Sequence, residues 1–342
     1  MTKEERYEVI QSIESQLGMR VISYVMLTRP NISIPMAMDS IRYIYEHLRK
    51  IKTSKDSTKI ALFLHSNGGD GIVPWKLVTL IREYCSEFHV IIPHCAFSAA
   101  TLTALGANSI IMHPMGMLGP TDPTVTNQFN PPNPRNPQEL LGISVEDVTA
   151  YISLIKEDVG IHHEDELVQA FNILANQVHP LALGNVKRFQ SQSRMLAKKL
   201  MFLHENKDDA HKVDEIVDNL TSKLFFHGHP INRTEAKEIG MDNIVIPPKD
   251  LEDLIWKLYC EYEKEMKLNT KFNHIEEFIA ANPMIEQGKT IVYRLPKQKA
   301  VYIESDGITN VNTIDFETIG TKLQNGLIQV QLSTLRQDWD EE

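Results

Sequence analysis

The chain has 342 residues with 42% hydrophobic content, which suffices for a sizeable core, and no apolar run long enough to span a membrane. Its formal net charge of −10 argues against a general nucleic-acid binder or a binder of anionic membranes, because both need clustered Lys and Arg. Three widely spaced cysteines exclude a multi-disulfide framework, and the charged N-terminus lacks the apolar core of a secretory signal, so we expect a cytoplasmic protein.

The first part of the chain, from residue 21 to about residue 123, alternates short apolar runs with helical patterns. This alternation is typical of α/β folds. Strands are predicted over residues 21–28, 59–65, 89–95 and 109–113. Helices are predicted over residues 33–51 and 72–88, and from Ser98 onward.

The second part begins with a proline-rich segment, residues 123–142, whose five prolines predict an exposed loop rather than a helix or a central strand. Helical patterns dominate after it, and β-rich runs begin near residue 289. The helical patterns cover residues 144–160, 163–178, 181–204, 212–226 and 250–268. We expect residues 285–342 to form a small β-rich appendage with a frayed acidic end.

The first candidate for chemistry is the turn SNGGDG, residues 66–71, directly after an apolar strand. Adjacent glycines let the backbone approach a ligand closely and turn N–H groups outward, as the stabilisation of an oxyanion requires. The same six residues also suit a tight turn between a strand and a helix, with no further role.

The second candidate is Ser98, which lies among small residues in HCAFSAATLTALGA, residues 94–107. A hydroxyl at a helix start lies near unpaired N–H groups, which favour an oxyanion formed there. The alternative is a serine that only caps its own helix. A third segment, MHPMGMLGPTDP (112–123), adds a strand end and a Gly- and Pro-rich turn.

The order and spacing of these three segments resemble the Clp protease and crotonase superfamily. Within it, the closest resemblance is to the signal peptide peptidase A-like group called serine dehydrogenase proteinases. Four segments carry the resemblance: LFLHSNGGDG (62–71), HCAFSAATLTALGANSIIMHPMGMLGPTDP (94–123), HPLALGNV (179–186) and HGHPINRTEAKEIGM (227–241).

The resemblance implies a spiral of ββα units with a helical C-terminal region and a small β-rich tail. It also implies a serine peptidase domain over residues 1–245, a helical extension over residues 246–284 and the appendage over residues 285–342. The nucleophile would be Ser98, and the oxyanion hole would use N–H groups of Gly68 or Gly69 and of Ala99. Members of the superfamily assemble into rings or stacked trimers, so a homo-oligomer acting on a peptide or protein substrate is expected.

The chain departs from the Clp protease pattern in the residue that would act as the general base. The places that match the catalytic histidine of the Clp protease hold Thr121 and Asp122, and His113, at a strand end, is expected to be structural. The resemblance to Ser-Lys peptidases then implies a lysine. A lysine acts as a base only when burial lowers its pKa towards neutrality, so it must border the core.

Helical geometry sorts the lysine candidates. In the pattern of residues 144–160, Lys156 borders the apolar stripe, whereas Lys198 and Lys199 lie away from the stripe of their own helix. Lys156 is therefore the candidate base. Its alternatives are a surface lysine beside acidic neighbours, or a lysine from another subunit.

No cofactor and no metal is expected, because the histidines show no metal-ligand spacing; the set considered was His162, His163, His179, His227 and His229. Two other functions fit the same segments. A crotonase-like acyl-thioester enzyme uses the same pair of N–H groups without a serine nucleophile, and a non-catalytic oligomeric scaffold needs no base.

Overall fold

A computed structural model describes residues 2–51, 54–122, 124–134, 136–205, 209–223 and 228–341. The helices are α1 (Lys3–Leu17), α2 (Ser40–Lys50), α3 (Val73–Arg82), α4 (Ala99–Leu105), α5 (Val145–Ser153), α6 (Glu164–Gln177), α7 (Pro180–Met201), α8 (Ala210–Asp218), α9 (Arg233–Glu238), α10 (Lys249–Met266) and α11 (His274–Ala281). The strands are β1 (Arg20–Met26), β2 (Lys59–His65), β3 (Glu87–Ile92), β4 (Cys95–Ala96), β5 (Ser109–Met112), β6 (Met117–Leu118), β7 (Thr124–Val125), β8 (Pro132–Asn133), β9 (Asn136–Leu140), β10 (Ile143–Ser144), β11 (Ile244–Val245), β12 (Thr290–Arg294), β13 (Gln298–Ser305), β14 (Ile308–Lys322) and β15 (Ile328–Glu341).

The core of the fold is a nine-stranded sheet in the order β11-β5-β3-β2-β1-β13-β14-β12, with β15 paired to β14. Its first five strands are parallel, and the remaining four are antiparallel. Helices α2, α3, α4 and α7 cover one face, and α1 and α10 cover the other. Because both faces are covered, β1 and β2 are buried along almost their whole length. The predicted α/β fold is confirmed.

A second layer of short strands lies at the carboxyl ends of the parallel strands. After β2, Ser66 forms a parallel bridge with Ala96, and β4 pairs in parallel with β6. The strands β3 and β5 are thus each followed by a short strand, β2 is followed by the bridge at Ser66, and a helix follows β2 and β3 in turn. This ββα repetition agrees with the predicted Clp/crotonase-type fold and places the chain after β2 beside the chain after β3.

The helix predicted for residues 33–51 begins only at Ser40. Upstream of it, the backbone of Met36 forms a parallel bridge with Gly69, so its N–H and C=O groups bind another segment rather than a helical turn. The apolar spacing of residues 33–39 fits a helix, but a tertiary backbone contact determines their conformation. The C-terminal half of the predicted helix is present.

The C-terminal strands continue the main sheet, since β13 pairs with β1 and β14 pairs with both β12 and β15. The expectation of a frayed acidic end is wrong for residues 338–341, which pair with β14. Trp339 stacks on Tyr43 at 4.3 Å between ring centroids and donates a hydrogen bond to Asp39, which holds that end down. The domain boundaries given above stay a prediction.

The proline-rich segment contains a two-stranded pair, β8 with β9, outside the main sheet. This agrees with the expectation that it holds no central strand. Pro123 and Arg135 lie outside the described residues. None of the described helices is both long enough and apolar enough to cross a membrane.

A buried polar network joins the first helix to the C-terminal strands. The Arg6 guanidinium donates two hydrogen bonds to the Glu304 carboxylate, at 2.8 and 2.9 Å, and both side chains are buried. Glu304 also accepts hydrogen bonds from Tyr262 and Thr309, each at 2.6 Å. These partners offset the cost of burying the charges, so removal of one partner leaves a charge uncompensated.

The substitution Arg6→Met is therefore expected to lower the free energy of unfolding by about 3–5 kcal/mol, because it leaves Glu304 buried without its cation. Urea denaturation followed by circular dichroism measures the change. The control is Glu83→Gln, which breaks the exposed Lys55–Glu83 pair and should cost less than about 1 kcal/mol. Equal effects of the two substitutions would contradict the role given to the network.

Candidate active site

Ser98 lies immediately before α4 in a conformation that few non-glycine residues adopt. Its φ is 51° and its ψ is −114°, and among the described non-glycine residues only Asn31 and Lys267 also have positive φ. The Ser98 hydroxyl makes no capping hydrogen bond to the helix. The alternative of a serine that only caps α4 is therefore not what the structure shows. Backbone strain of this kind persists where the surrounding structure enforces it, and it is enriched at active sites.

The Gly68–Gly69 turn lies against Ser98 so closely that neither glycine has room for a side chain. A Cβ on Gly68 would lie 2.7 Å from Phe97 O and 2.8 Å from Ser98 Cβ. A Cβ on Gly69 would lie 2.2 Å from Met36 N. Both residues also have positive φ, so the turn needs glycine for conformation and for space.

The N–H groups of the two glycines have different environments. Gly68 N–H donates to Ser66 Oγ at 2.9 Å, so it is already engaged. On either side of Gly69, Gly68 O accepts from Met36 N and Asp70 N donates to Met36 O. The parallel bridge turns the Gly69 N–H away from Met36, and it has no acceptor among the described residues.

Ala99 supplies a second N–H group beside the serine. It is the first residue of α4, so its N–H lies in the helix turn that has no intrahelical acceptor. No described residue accepts from it. From the sequence, the N–H groups of Gly68 or Gly69 and of Ala99 are expected to form an oxyanion hole. Among the described residues, the N–H groups of Gly69 and Ala99 have no acceptor, whereas that of Gly68 has one.

A cavity of about 360 Å³ opens beside these groups. Gly69, Ser98, Ala99 and Leu102 line one side of it, and α7 lines the other with Phe189, Gln192, Ser193 and Leu196. Helix α7 is tied down here, because Ser193 Oγ donates to Thr121 O at 2.6 Å. The half-buried serine therefore lines a groove between α4 and α7.

No lysine or histidine is among the described residues that line this cavity, and its one titratable side chain is Asp70. Thr121, at the place that matches the Clp protease histidine, does line it. Lys156 lies in a π-helical turn, Leu154–Asp158, that continues α5, where its side chain is exposed and outside the cavity lining. Within one chain the structure does not bring Lys156 to Ser98.

Three of the other histidines considered from the sequence, His113, His179 and His229, have local partners. The His113 ring stacks on Trp256 at 4.9 Å between centroids, and His113 Nδ1 accepts from Met115 N, as a structural residue should. His179 accepts from Leu181 N at the start of α7, and His229 pairs with Glu235. His227 lies outside the described residues.

Two parts of the site were not found from the sequence. Met36 holds the glycine turn through backbone groups alone, so its side-chain type carries no signal. Phe189 and Ser193 lie on α7, about ninety residues after the nucleophile, and only the packing of α7 on α4 reveals them. His65, His94 and Cys95 are also brought together, at the ends of β2 and β3.

Comparison with known families agrees with this geometry. The model of the ClpP-like SDH-type serine proteinases matches residues 1–157, which include the glycine turn and Ser98. Residues 1–157 of this chain are thus similar to that family. The SDH-type match confirms the resemblance to serine dehydrogenase proteinases. It also supports the general function of a serine peptidase.

Relatives with sequence similarity include two uncharacterized proteins of Methanocaldococcus jannaschii. MJ1495 is 24% identical over 254 residues, which cover 72% of this chain and 75% of that protein. MJ0137 is 28% identical over 210 residues, covering 61% of this chain and 62% of that protein. The chain thus spans less than two thirds of MJ0137.

Similar solved structures include two variants of the 1510-N membrane-bound stomatin-specific protease. The variant in complex with a substrate peptide has a TM-score of 0.36 and 13% identity, over 62% of this chain and 69% of that one. The other has a TM-score of 0.32 and 13% identity, over 62% and 73% of the two chains. These TM-scores are too low for a residue-by-residue comparison of the sites.

The crowding at Gly69 gives a direct test of the turn. Gly69→Ala is expected to destabilise the protein by about 1–3 kcal/mol and to abolish reaction at Ser98, since a Cβ displaces Met36 and the free N–H. The matched control is Gly71→Ala in the same loop, where a Cβ meets no atom within 4 Å. Thermal unfolding and labelling of Ser98 measure both effects. Similar behaviour of the two variants would contradict the arrangement described.

Proposed function

We propose that the protein is a serine peptidase in which Ser98 attacks the carbonyl carbon of a peptide bond and forms an acyl-enzyme. The observation that carries this proposal is the strained Ser98, whose hydroxyl caps no helix and whose cavity is also lined by Gly69 and Ala99, the two residues whose N–H groups have no acceptor among the described residues. A serine that had only a structural role would not need this conformation. The family match over residues 1–157 supports the same chemistry.

In the first step, a base takes the Ser98 proton while Ser98 Oγ bonds to the carbonyl carbon. The carbonyl oxygen becomes an oxyanion that Gly69 N–H and Ala99 N–H stabilise. Collapse of the tetrahedral intermediate breaks the C–N bond, and the base returns its proton to the leaving amine. Water then attacks the ester in the same way, which releases the acid and restores the Ser98 hydroxyl.

For the base we propose Lys156, brought to a Ser98 by assembly of several chains. In one chain Lys156 is exposed and lies outside the cavity lining, so a base is missing there. Its neighbourhood is unusually apolar for a surface, since Leu154 and Val159 are 50% and 62% exposed. Burial of this surface by another copy would remove Lys156 from water, and only a desolvated lysine acts as a base near neutral pH.

Helix α6 extends the same apolar surface. Ala170 is the only buried residue of this helix, although the large side chains of Val168 and Phe171, about 60° apart on one face, are 57% and 47% exposed. A helix gains most of its stability from packing of its apolar face, so α6 lacks a partner in the single chain. A homo-oligomer that buries α6 supplies this partner and completes the site.

Labelling with a fluorophosphonate probe tests the nucleophile and the base separately. We expect one adduct per chain on Ser98, no adduct in Ser98→Ala, and strongly slowed labelling in Lys156→Ala. The control Lys257→Ala removes a lysine from α10, on the opposite face of the sheet, and should label as wild type does. Peptide mapping by mass spectrometry locates the adduct. A folded wild type that takes no label would favour the thioester enzyme or the scaffold.

Assembly is tested by size-exclusion chromatography with light scattering. We expect the wild type to form an oligomer, and Phe171→Glu to shift it towards monomer and to lower Ser98 labelling, because the charge opposes burial of α6. The control is Gln169→Glu, which adds the same charge about 160° away around the helix and should keep the oligomer. A wild type that is a fully labelled monomer would rule out a base supplied by assembly.

A further inference from the structure

Three side chains with metal-binding atoms meet at the ends of two neighbouring parallel strands. His65 ends β2, and His94 and Cys95 follow β3. One ligand atom from each of the three lies within 4.8 Å of the others. Sequence spacing does not reveal this group, because about thirty residues separate His65 from the other two. Parallel pairing of β2 with β3 brings them together.

The distances fit a small tetrahedral ion. His65 Nδ1 lies 3.5 Å from Cys95 Sγ. An imidazole nitrogen and a thiolate bound tetrahedrally to one zinc ion lie about 3.6 Å apart, since Zn–N is about 2.0–2.1 Å and Zn–S about 2.3 Å. Asn67 Oδ1, 3.7 Å from Cys95 Sγ, marks the side on which a fourth ligand would lie.

The residues around the two histidines orient their rings for metal binding. His65 Nε2 lies 2.8 Å from Thr28 Oγ1, an outer partner that leaves Nδ1 as the nitrogen facing Cys95. His94 Nδ1 is buried and has no hydrogen-bond partner among the described residues, although buried ring nitrogens normally have one. The His94 ring is held by stacking on Tyr259 at 5.3 Å between centroids.

Burial keeps both rings neutral, as metal ligation requires. Desolvation lowers the pKa of His65 to about 3, and it also lowers the pKa of His94. Desolvation raises the pKa of the Cys95 thiol to about 12, so without a cation this thiol stays protonated. A bound divalent ion reverses this preference, because a coordinating thiol gives up its proton.

We propose that His65, His94 and Cys95 bind one Zn²⁺ ion, with the fourth position on the side of Asn67. Two imidazoles and one thiolate suit zinc and exclude the hard cations Mg²⁺ and Ca²⁺, which prefer oxygen ligands. Binding releases the Cys95 proton to solvent, and no oxidant or reductant is needed. This inference does not depend on the proposed peptidase function.

The zinc ion would hold the segments of the candidate active site in place and would take no part in the reaction at Ser98. None of its three ligands lines the cavity beside Ser98. The two ligand-bearing segments are already joined by backbone hydrogen bonds, Ser66 N to Cys95 O and Phe97 N to Ser66 O, both at 3.0 Å. One segment continues into the Gly68–Gly69 turn and the other into Ser98. A zinc ion here would therefore clamp the oxyanion turn to the nucleophile.

The test is the replacement of zinc by Co²⁺ in the purified full-length protein, with titration followed by absorption. We expect one Co²⁺ per chain, a thiolate-to-cobalt charge-transfer band and the visible bands of tetrahedral cobalt, all displaced by Zn²⁺. The charge-transfer band should be lost in Cys95→Ala and kept in Cys85→Ser and Cys260→Ser, which remove the other two thiols. Thr28→Val should weaken binding about 10–100-fold while keeping all three ligands.

Circular dichroism of each variant separates loss of the site from loss of the fold, and the wild-type titration alone is decisive if Cys95→Ala does not fold. A wild type without a thiolate-to-cobalt band would overturn the proposal, as would a band that survives in folded Cys95→Ala. Either outcome would leave the result of the Ser98 labelling experiment unaffected. The zinc site and the peptidase function can therefore be disproved independently of each other.

Discussion

The candidate active site depends on one close backbone contact, in which the Gly68–Gly69 turn lies between Met36 on one side and Ser98 on the other. The bridge to Met36 uses the carbonyl of Gly68 and the N–H of Asp70, and so leaves the N–H of Gly69 unused. The same approach brings Gly68 against Ser98 Cβ. An added methyl group on either glycine would break this contact, which explains why two glycines stand together after β2.

Much of this arrangement follows from the sequence. The apolar runs of β2 and β3, each followed by a candidate segment, predicted the α/β fold and the positions of the glycine turn and Ser98 after strands. The nucleophile and the oxyanion donors were predicted from the glycine pair and from Ser98. To see which of the two glycine N–H groups is free required the structure, because the Ser66 hydroxyl accepts from Gly68 N–H and the bridge to Met36 leaves Gly69 N–H unused.

The parts that the sequence could not supply depend on contacts between distant segments. Residues 33–39 have helical periodicity, yet their backbone binds the glycine turn. His65 and Cys95 meet only because β2 and β3 are neighbours. For Lys156, helical periodicity predicted a position at the edge of an apolar stripe. In the structure Ile155 of that stripe is buried, but Lys156 itself is exposed, so the burial that a base requires has to come from outside the chain.

The pairing of β1 with β13 has a consequence for how the chain reaches this structure. Tyr302 is the partner of Val25, and the Arg6–Glu304 pair joins positions even farther apart in the sequence. During synthesis, the edge of β1 that pairs with β13 therefore stays unpaired until almost the whole chain has left the ribosome. Such long-range pairing slows folding, and an open apolar strand edge invites aggregation. A fragment ending near residue 157 would keep that edge permanently, so the family's matched region should be insoluble when it is expressed alone.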